Sequence, residues 1–163
     1  MKNRNKVKGV AFAAIIAAMY VVLTYIASAL GIASGAIQVR FSESLTILPI
    51  FTPYAIPGLF VGCILANILS GCALWDIILG SLATLLGALG TYFFKKYKIL
   101  PFIPPILANA LIIPPVLMFV YNAEGTFIYF FITILIGEII SCGILGELLK
   151  KSPEKRNIIQ YFK

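Results

Sequence analysis

The chain has 163 residues, 61% of them hydrophobic and only 12% charged, about half the charged share of a soluble domain. A soluble fold of this length needs polar groups to cover its surface, and too few are present. The net charge of +7, which in a soluble protein would point to nucleic acid, is read here as a marker of loop orientation in an all-α integral membrane protein that binds no nucleic acid.

Taken in chain order, the elements begin with a basic N-terminus, Lys2, Arg4, Lys6 and Lys8, followed by a run without charge as far as Arg40. The run is too long for the core of a cleaved signal peptide and predicts a retained first span at about 9–30, because about 20 apolar residues cross a bilayer. The next uncharged stretch, Ser44 to Trp75, is long for one helix, short for two, and interrupted by Pro49, Pro53 and Pro57. Proline deletes a helical hydrogen bond and disfavours helix just before it. The stretch therefore predicts a short, broken second span at about 40–54 and a third at about 56–71. A fourth follows at about 76–94, a fifth at about 100–121, kinked or partly unwound by its five prolines, and a sixth at about 127–149.

Charge tests this count. With six spans, the N-terminus, the Lys95–Lys98 loop and the C-terminal tail share one side, and that side holds all of the 13 lysines and arginines except Arg40. Lys and Arg concentrate in cytoplasmic loops, so both termini are expected inside the cell. The chain is expected to form a single six-helix transmembrane domain over residues 1–163.

No G-x-x-x-x-G-K-[ST] loop is present, so ATP hydrolysis by that route is excluded. With no histidine, the Ser-His-Asp and Cys-His arrangements are excluded too. The odd count of three cysteines, each in or beside an apolar run, fits packing residues rather than a zinc site or disulfides. No cofactor, metal or catalytic residue is expected, and binding or transport is the class that remains.

The candidate binding residues are the few polar groups in apolar surroundings. Glu138 lies mid-span, where a charged carboxylate costs about 2.5–3.5 kcal/mol on insertion scales. It either bonds to a neighbouring helix or serves a ligand or a proton, and Ser141 shares its helical face. Asn67 and Asn109 either join helices or line a cavity. At the outer end, Arg40 and Glu43 pair with each other or face a ligand. Trp75, beside Asp76, anchors at the interface or stacks on a planar ligand. Glu147 pairs with Lys150 and Lys151 at a helix end. In the first span, Ala11, Ala14 and Ala18 form a small-residue face and Ala13 with Ala17 a second pair, for close packing inside the bundle or for docking a membrane partner.

Four blocks carry a family resemblance. VRFSESLTILPIFTPYAIPGLFVGCILANIL (39–69) and WDIILGSLATLLGALGTYFF (75–94) resemble the most characteristic blocks of the QueT family; LANALIIP and GEIISCGILGELL are similar to its later spans. The resemblance implies the substrate-binding S component of an energy-coupling factor (ECF) transporter, a six-helix bundle with its pocket toward the outer face. The implied substrate is a 7-deazaguanine precursor of queuosine, such as queuine, preQ1 or preQ0. The implied partners are a transmembrane coupling subunit and two ATP-binding subunits, and the alanine face of the first helix resembles the surface presented to the coupling subunit. A flat deazapurine suits Trp75 for stacking and Glu138, Glu43, Asp76, Asn67, Asn109 and Arg40 for hydrogen bonding. Thiamine, riboflavin or biotin precursors would use similar groups, so an S component for another vitamin stays open. So do a proton-coupled transporter working through Glu138 and a membrane scaffold without transport.

Overall fold

A computed structural model describes residues 2–33 and 38–151, with side chains from Lys6 onward. The described chain is helical, without strands. Helix α1 spans Lys2–Ala29, α2 Ala55–Leu69, α3 Leu74–Phe93, α4 Ile103–Phe119 and α5 Phe127–Glu138. A 3₁₀ segment, Phe41–Ile50, precedes α2, and a single 3₁₀ turn, Leu100–Phe102, leads into α4. After α5 the helix widens into a π segment, Ile139–Leu145, and closes as α6, Gly146–Lys151.

Four of these stretches are long and apolar enough to cross a membrane: Lys6–Ala29, Leu74–Phe93, Leu100–Phe119 and Phe127–Lys151; Phe41–Ile50 and Ala55–Leu69 are shorter apolar helices. The burial pattern inverts that of a soluble protein. Val10, Ile15, Val22, Leu65, Ile68, Leu86, Leu111 and Ile128 face outward, while Ser42, Glu43, Thr46, Asn67, Asp76, Thr84, Asn109, Glu138 and Ser141 are buried. Hydrocarbon solvates the apolar side chains, and polar groups are driven inward to find one another.

Neighbouring helices pack in sequence order, α1 on α2, α2 on α3, α3 on α4 and α4 on α5, and the 3₁₀ segment contacts α1, α2, α3, the π segment and α6. The α1–α2 seam is built from small residues. A Cβ added at Gly58 would sit 2.7 Å from the Ala13 carbonyl oxygen, and one at Gly62 would sit 2.9 Å from Ala17 Cα. Two backbones can approach this closely only where neither carries a side chain of any size. The two alanine pairs of the first span thereby separate. Ala13 and Ala17 point into the seam, whereas Ala11, Ala14 and Ala18 are exposed.

Two features depart from the sequence expectation. Helix α4 continues through Pro114 and Pro115, and its irregular turn lies instead at its start, where Pro104 and Pro105 occupy positions whose N–H groups have no helical acceptor. The last span holds a π segment where an uninterrupted α-helix was expected. The stretch expected to form a short, broken second span contains a 3₁₀ helix, Phe41–Ile50. Its Ser44 hydroxyl donates to the Phe41 carbonyl at 2.6 Å and its Thr46 hydroxyl to the Glu43 carbonyl at 2.6 Å. These local bonds, with the missing N–H of Pro49, favour the tighter winding. At about 2 Å rise per residue the segment covers about a third more distance than an α-helix of equal length.

Candidate substrate-binding site

The 3₁₀ segment carries Glu43 into the centre of the bundle, where the carboxylate is 2% exposed. The Tyr20 hydroxyl on α1 donates a hydrogen bond to Glu43 Oε1, and the Asn109 amide on α4 donates to Oε2 at 3.4 Å. Three elements distant in sequence thus converge on one carboxylate. The Glu43 carbonyl is held as well, receiving Thr46 and, at 3.4 Å, the Cys142 thiol.

Opposite lies Glu138, 6% exposed at the end of α5. The Cys142 thiol donates to its Oε2 at 3.1 Å. Ligand-capable atoms of Glu43, Glu138 and Cys142 all lie within 4.8 Å of one another. Two acidic oxygens and a thiol can hold a cation or the N–H edge of a ligand. Ser141 has turned to accept the Arg40 backbone N–H at 3.1 Å, so the π segment sends Cys142 to Glu138 and Ser141 to the neighbouring strand of chain. A π-helical turn inside a helix often marks a functional site. Gly137 supports the same contact: a Cβ there would overlap the Gln38 carbonyl oxygen.

Arg40 and Glu43 do not form an ion pair; the ion pairs among the described residues are those of Glu147 with Lys150 and Lys151. Arg40 still lies near enough for its charge to act on Glu43 and Glu138. Asn67 and Asp76 belong to a second group on α2 and α3. A Cβ at Gly80 would meet Asn67 Nδ2 at 3.3 Å and Asp76 Oδ1 at 3.5 Å. The Tyr121 hydroxyl donates to Asp76 Oδ2 at 2.8 Å and accepts the Ala73 N–H at 3.1 Å, tying the α2–α3 turn to the end of α4. Trp75 joins neither group. It is 60% exposed in the first turn of α3 and borders an apolar groove of about 300 Å³ with Leu79, Pro115, Val116 and Phe119.

Of the sequence candidates, the structure brings together Glu43, Glu138, Asn109 and Arg40 as one group, Asp76 and Asn67 as another, and leaves Trp75 apart. Tyr20, Thr46 and Cys142 were not singled out from the sequence. Tyr20 had one legible signal, a hydroxyl in an alanine-rich apolar helix one turn before Thr24, and Cys142 had its i+4 spacing from Glu138.

The profile of the QueT transporter family matches residues 10–155. The chain belongs to the QueT transporter family. Over 98 residues it is 36% identical to the queuosine precursor transporter QueT of Lactococcus lactis subsp. cremoris (strain MG1363), an alignment covering 59% of this chain and 57% of that relative. The chain thus aligns over little more than half the length of the curated relative it matches. No solved structure matches. Membership in the QueT transporter family agrees with the helical architecture and makes this a multi-pass membrane protein and not an enzyme.

Proposed function

We propose that this QueT-family chain is the substrate-capturing component of an ECF-type importer, taking a 7-deazaguanine precursor of queuosine from outside the cell for ATP-driven uptake. The observation that carries this reading is the buried group of Glu43, Glu138 and Asn109, brought together from three elements distant in sequence. The N1–H and 2-amino group of a deazaguanine form a pair of donors that one carboxylate can accept, and its O6 can accept from the Asn109 amide or the Arg40 guanidinium. The relative is named a queuosine precursor transporter, which favours this base over other planar vitamins.

In this reading the chain crosses the membrane six times with both termini inside. The short 3₁₀ segment and α2 serve as the second and third crossings, because basic residues then collect on the cytoplasmic side. Asp76, Asn67, Trp75 and Tyr121 lie toward the outer mouth. The exposed face of Ala11, Ala14 and Ala18 is the surface offered to a transmembrane coupling subunit, itself joined to two ATP-binding subunits. Small side chains allow the close van der Waals contact that must drive helix association in lipid.

Titration of the purified chain in nanodiscs with 7-deazaguanines tests capture; saturable binding is expected, and its absence rejects the reading. Ala14→Trp and Ala18→Trp should keep that binding while abolishing co-purification with the coupling subunit and ATP-dependent uptake. Full uptake by both variants rejects the docking face. A second reading, proton-coupled transport, draws on the buried carboxylate of Glu138. Uptake or efflux driven by a proton gradient in liposomes holding this chain alone would favour it.

A further inference from the structure

At the end of α3 the chain reads Phe-Phe-Lys-Lys-Tyr-Lys-Ile-Leu, and all of residues 93–100 are exposed. Phe93, Tyr97 and Ile99 would leave large apolar surfaces uncovered in water, interleaved with three charges. Helix α3 has 20 residues, a rise of about 30 Å that matches the hydrocarbon core of a bilayer. The turn that ends it therefore lies at headgroup level, where rings meet acyl chains and ammonium groups meet phosphates. The turn is also held in place. Lys150 of α6 donates to the Lys98 carbonyl at 3.0 Å and lies 5.2 Å over the Phe102 ring. Lys150 and Lys151 pair with Glu147, the one carboxylate among the described residues of α6 and this turn. Lys95, Lys96 and Lys98 make no ion pair among the described residues. Lys95 lies 3.9 Å over the Tyr92 ring, a contact that leaves its charge unneutralised.

We propose that this turn is a docking site for an anionic phospholipid, whose phosphate sits among Lys95, Lys96 and Lys98 and whose acyl chains lie against Phe93 and Ile99. Three ammonium groups without a carboxylate partner match the charge of the headgroup. The apolar side chains between them match the acyl chains, and a soluble phosphate would leave them in water. Lys150 is the brace that presents the turn, holding it to α6 through the Lys98 carbonyl. The site lies at the far end of α3 from Asp76 and draws on none of the central carboxylates, so it stands whatever base the centre holds. The test is titration of the full chain, in a neutral detergent, with phosphatidylglycerol and with phosphatidylcholine, the bound lipid being counted by native mass spectrometry.

Phosphatidylglycerol should bind about tenfold more tightly than phosphatidylcholine. One lysine near an anionic headgroup contributes about fivefold, and salt screening holds three of them below their product. Lys95→Gln, Lys96→Gln and Lys98→Gln together should bring the ratio to within about twofold of unity. Arginine at the same three positions should preserve it. Lys6→Gln with Lys8→Gln, which removes charge from α1 instead, should leave most of the preference. Equal binding of the two lipids by the wild type overturns the inference. An equal loss from the α1 pair also overturns it, because the charge then acts as a diffuse field with no site at the turn. Full displacement of the lipid by inorganic phosphate overturns it as well and marks a simple anion site. If the glutamine variant keeps its lipid preference but no longer co-purifies with a coupling subunit, the turn belongs to a protein partner and the inference fails. The wild-type comparison needs no variant to fold.

Discussion

The centre of the bundle and the end at the α2–α3 turn both present a buried carboxylate bonded to a tyrosine hydroxyl, and they differ in what surrounds that bond. At the centre, Glu43 draws donors from α1 and α4, and its own backbone is gripped by Thr46 and by Cys142 of the π segment. At the α2–α3 turn, Asp76 and Tyr121 tie one turn to the end of one helix, and Tyr121 remains 44% exposed. The first arrangement is convergent and lies beside a second buried carboxylate, Glu138; the second is a local tie, in which Asp76 Oδ2 accepts from Tyr121 and the Tyr121 hydroxyl accepts the Ala73 N–H. One buried acid thus joins several distant elements, whereas the other braces a single turn.

The largest expected effect lies at the centre. Glu43→Gln keeps the size of the side chain and removes the charge that accepts from Tyr20 and Asn109. Deazaguanine affinity should fall about 30-fold, equivalent to about 2 kcal/mol for a charge-assisted bond. A change below about threefold by calorimetric titration would erase the distinction between the two regions.

Next in size is Gly137→Ala. The added methyl overlaps the Gln38 carbonyl, so the chain carrying Arg40 and Glu43 must shift. Overpacking of this kind costs about 1–3 kcal/mol, and the unfolding midpoint in detergent should drop by several degrees with ligand affinity falling alongside. An unchanged midpoint would indicate that the 3₁₀ segment is not seated on α5 as described.

Tyr121→Phe removes the brace at the α2–α3 turn without opening the centre. The loss is about 1 kcal/mol, a midpoint lower by about 2–4 °C, with affinity within about twofold of wild type. A loss of affinity as large as that of Glu43→Gln would place the ligand beside Asp76 instead. The smallest effect is expected from Trp75→Ala. Its ring borders the apolar groove and has no bond to either carboxylate group, so it acts as an interface anchor or at the pocket mouth. Affinity should change by less than about threefold, below the roughly 1–3 kcal/mol of a base stacked on an aromatic ring. Quenching of this lone tryptophan at saturating ligand, joined to a tenfold loss in the variant, would move it into the site.

Much of the fold was legible before any coordinates. Hydropathy and charge spacing pointed to an all-helical membrane protein, and four of the described stretches are long and apolar enough to cross a bilayer. The prolines at 49, 53 and 57 announced the departure from regular α-helix before α2, and Glu138 in its apolar run announced a buried polar group. What the sequence alone determined is thus the all-helical, membrane-spanning class of the chain and a short roster of polar groups too costly to leave in lipid. Only the tertiary structure decided which of them meet. Tyr20, Glu43, Asn109 and Glu138 lie on four separate elements, and no local period links them. Nor did spacing separate Ala13 and Ala17, which face α2, from Ala14 and Ala18, which face outward. Small-residue pairs are interchangeable in sequence, and their roles are assigned by where Gly58 and Gly62 allow a second backbone to approach.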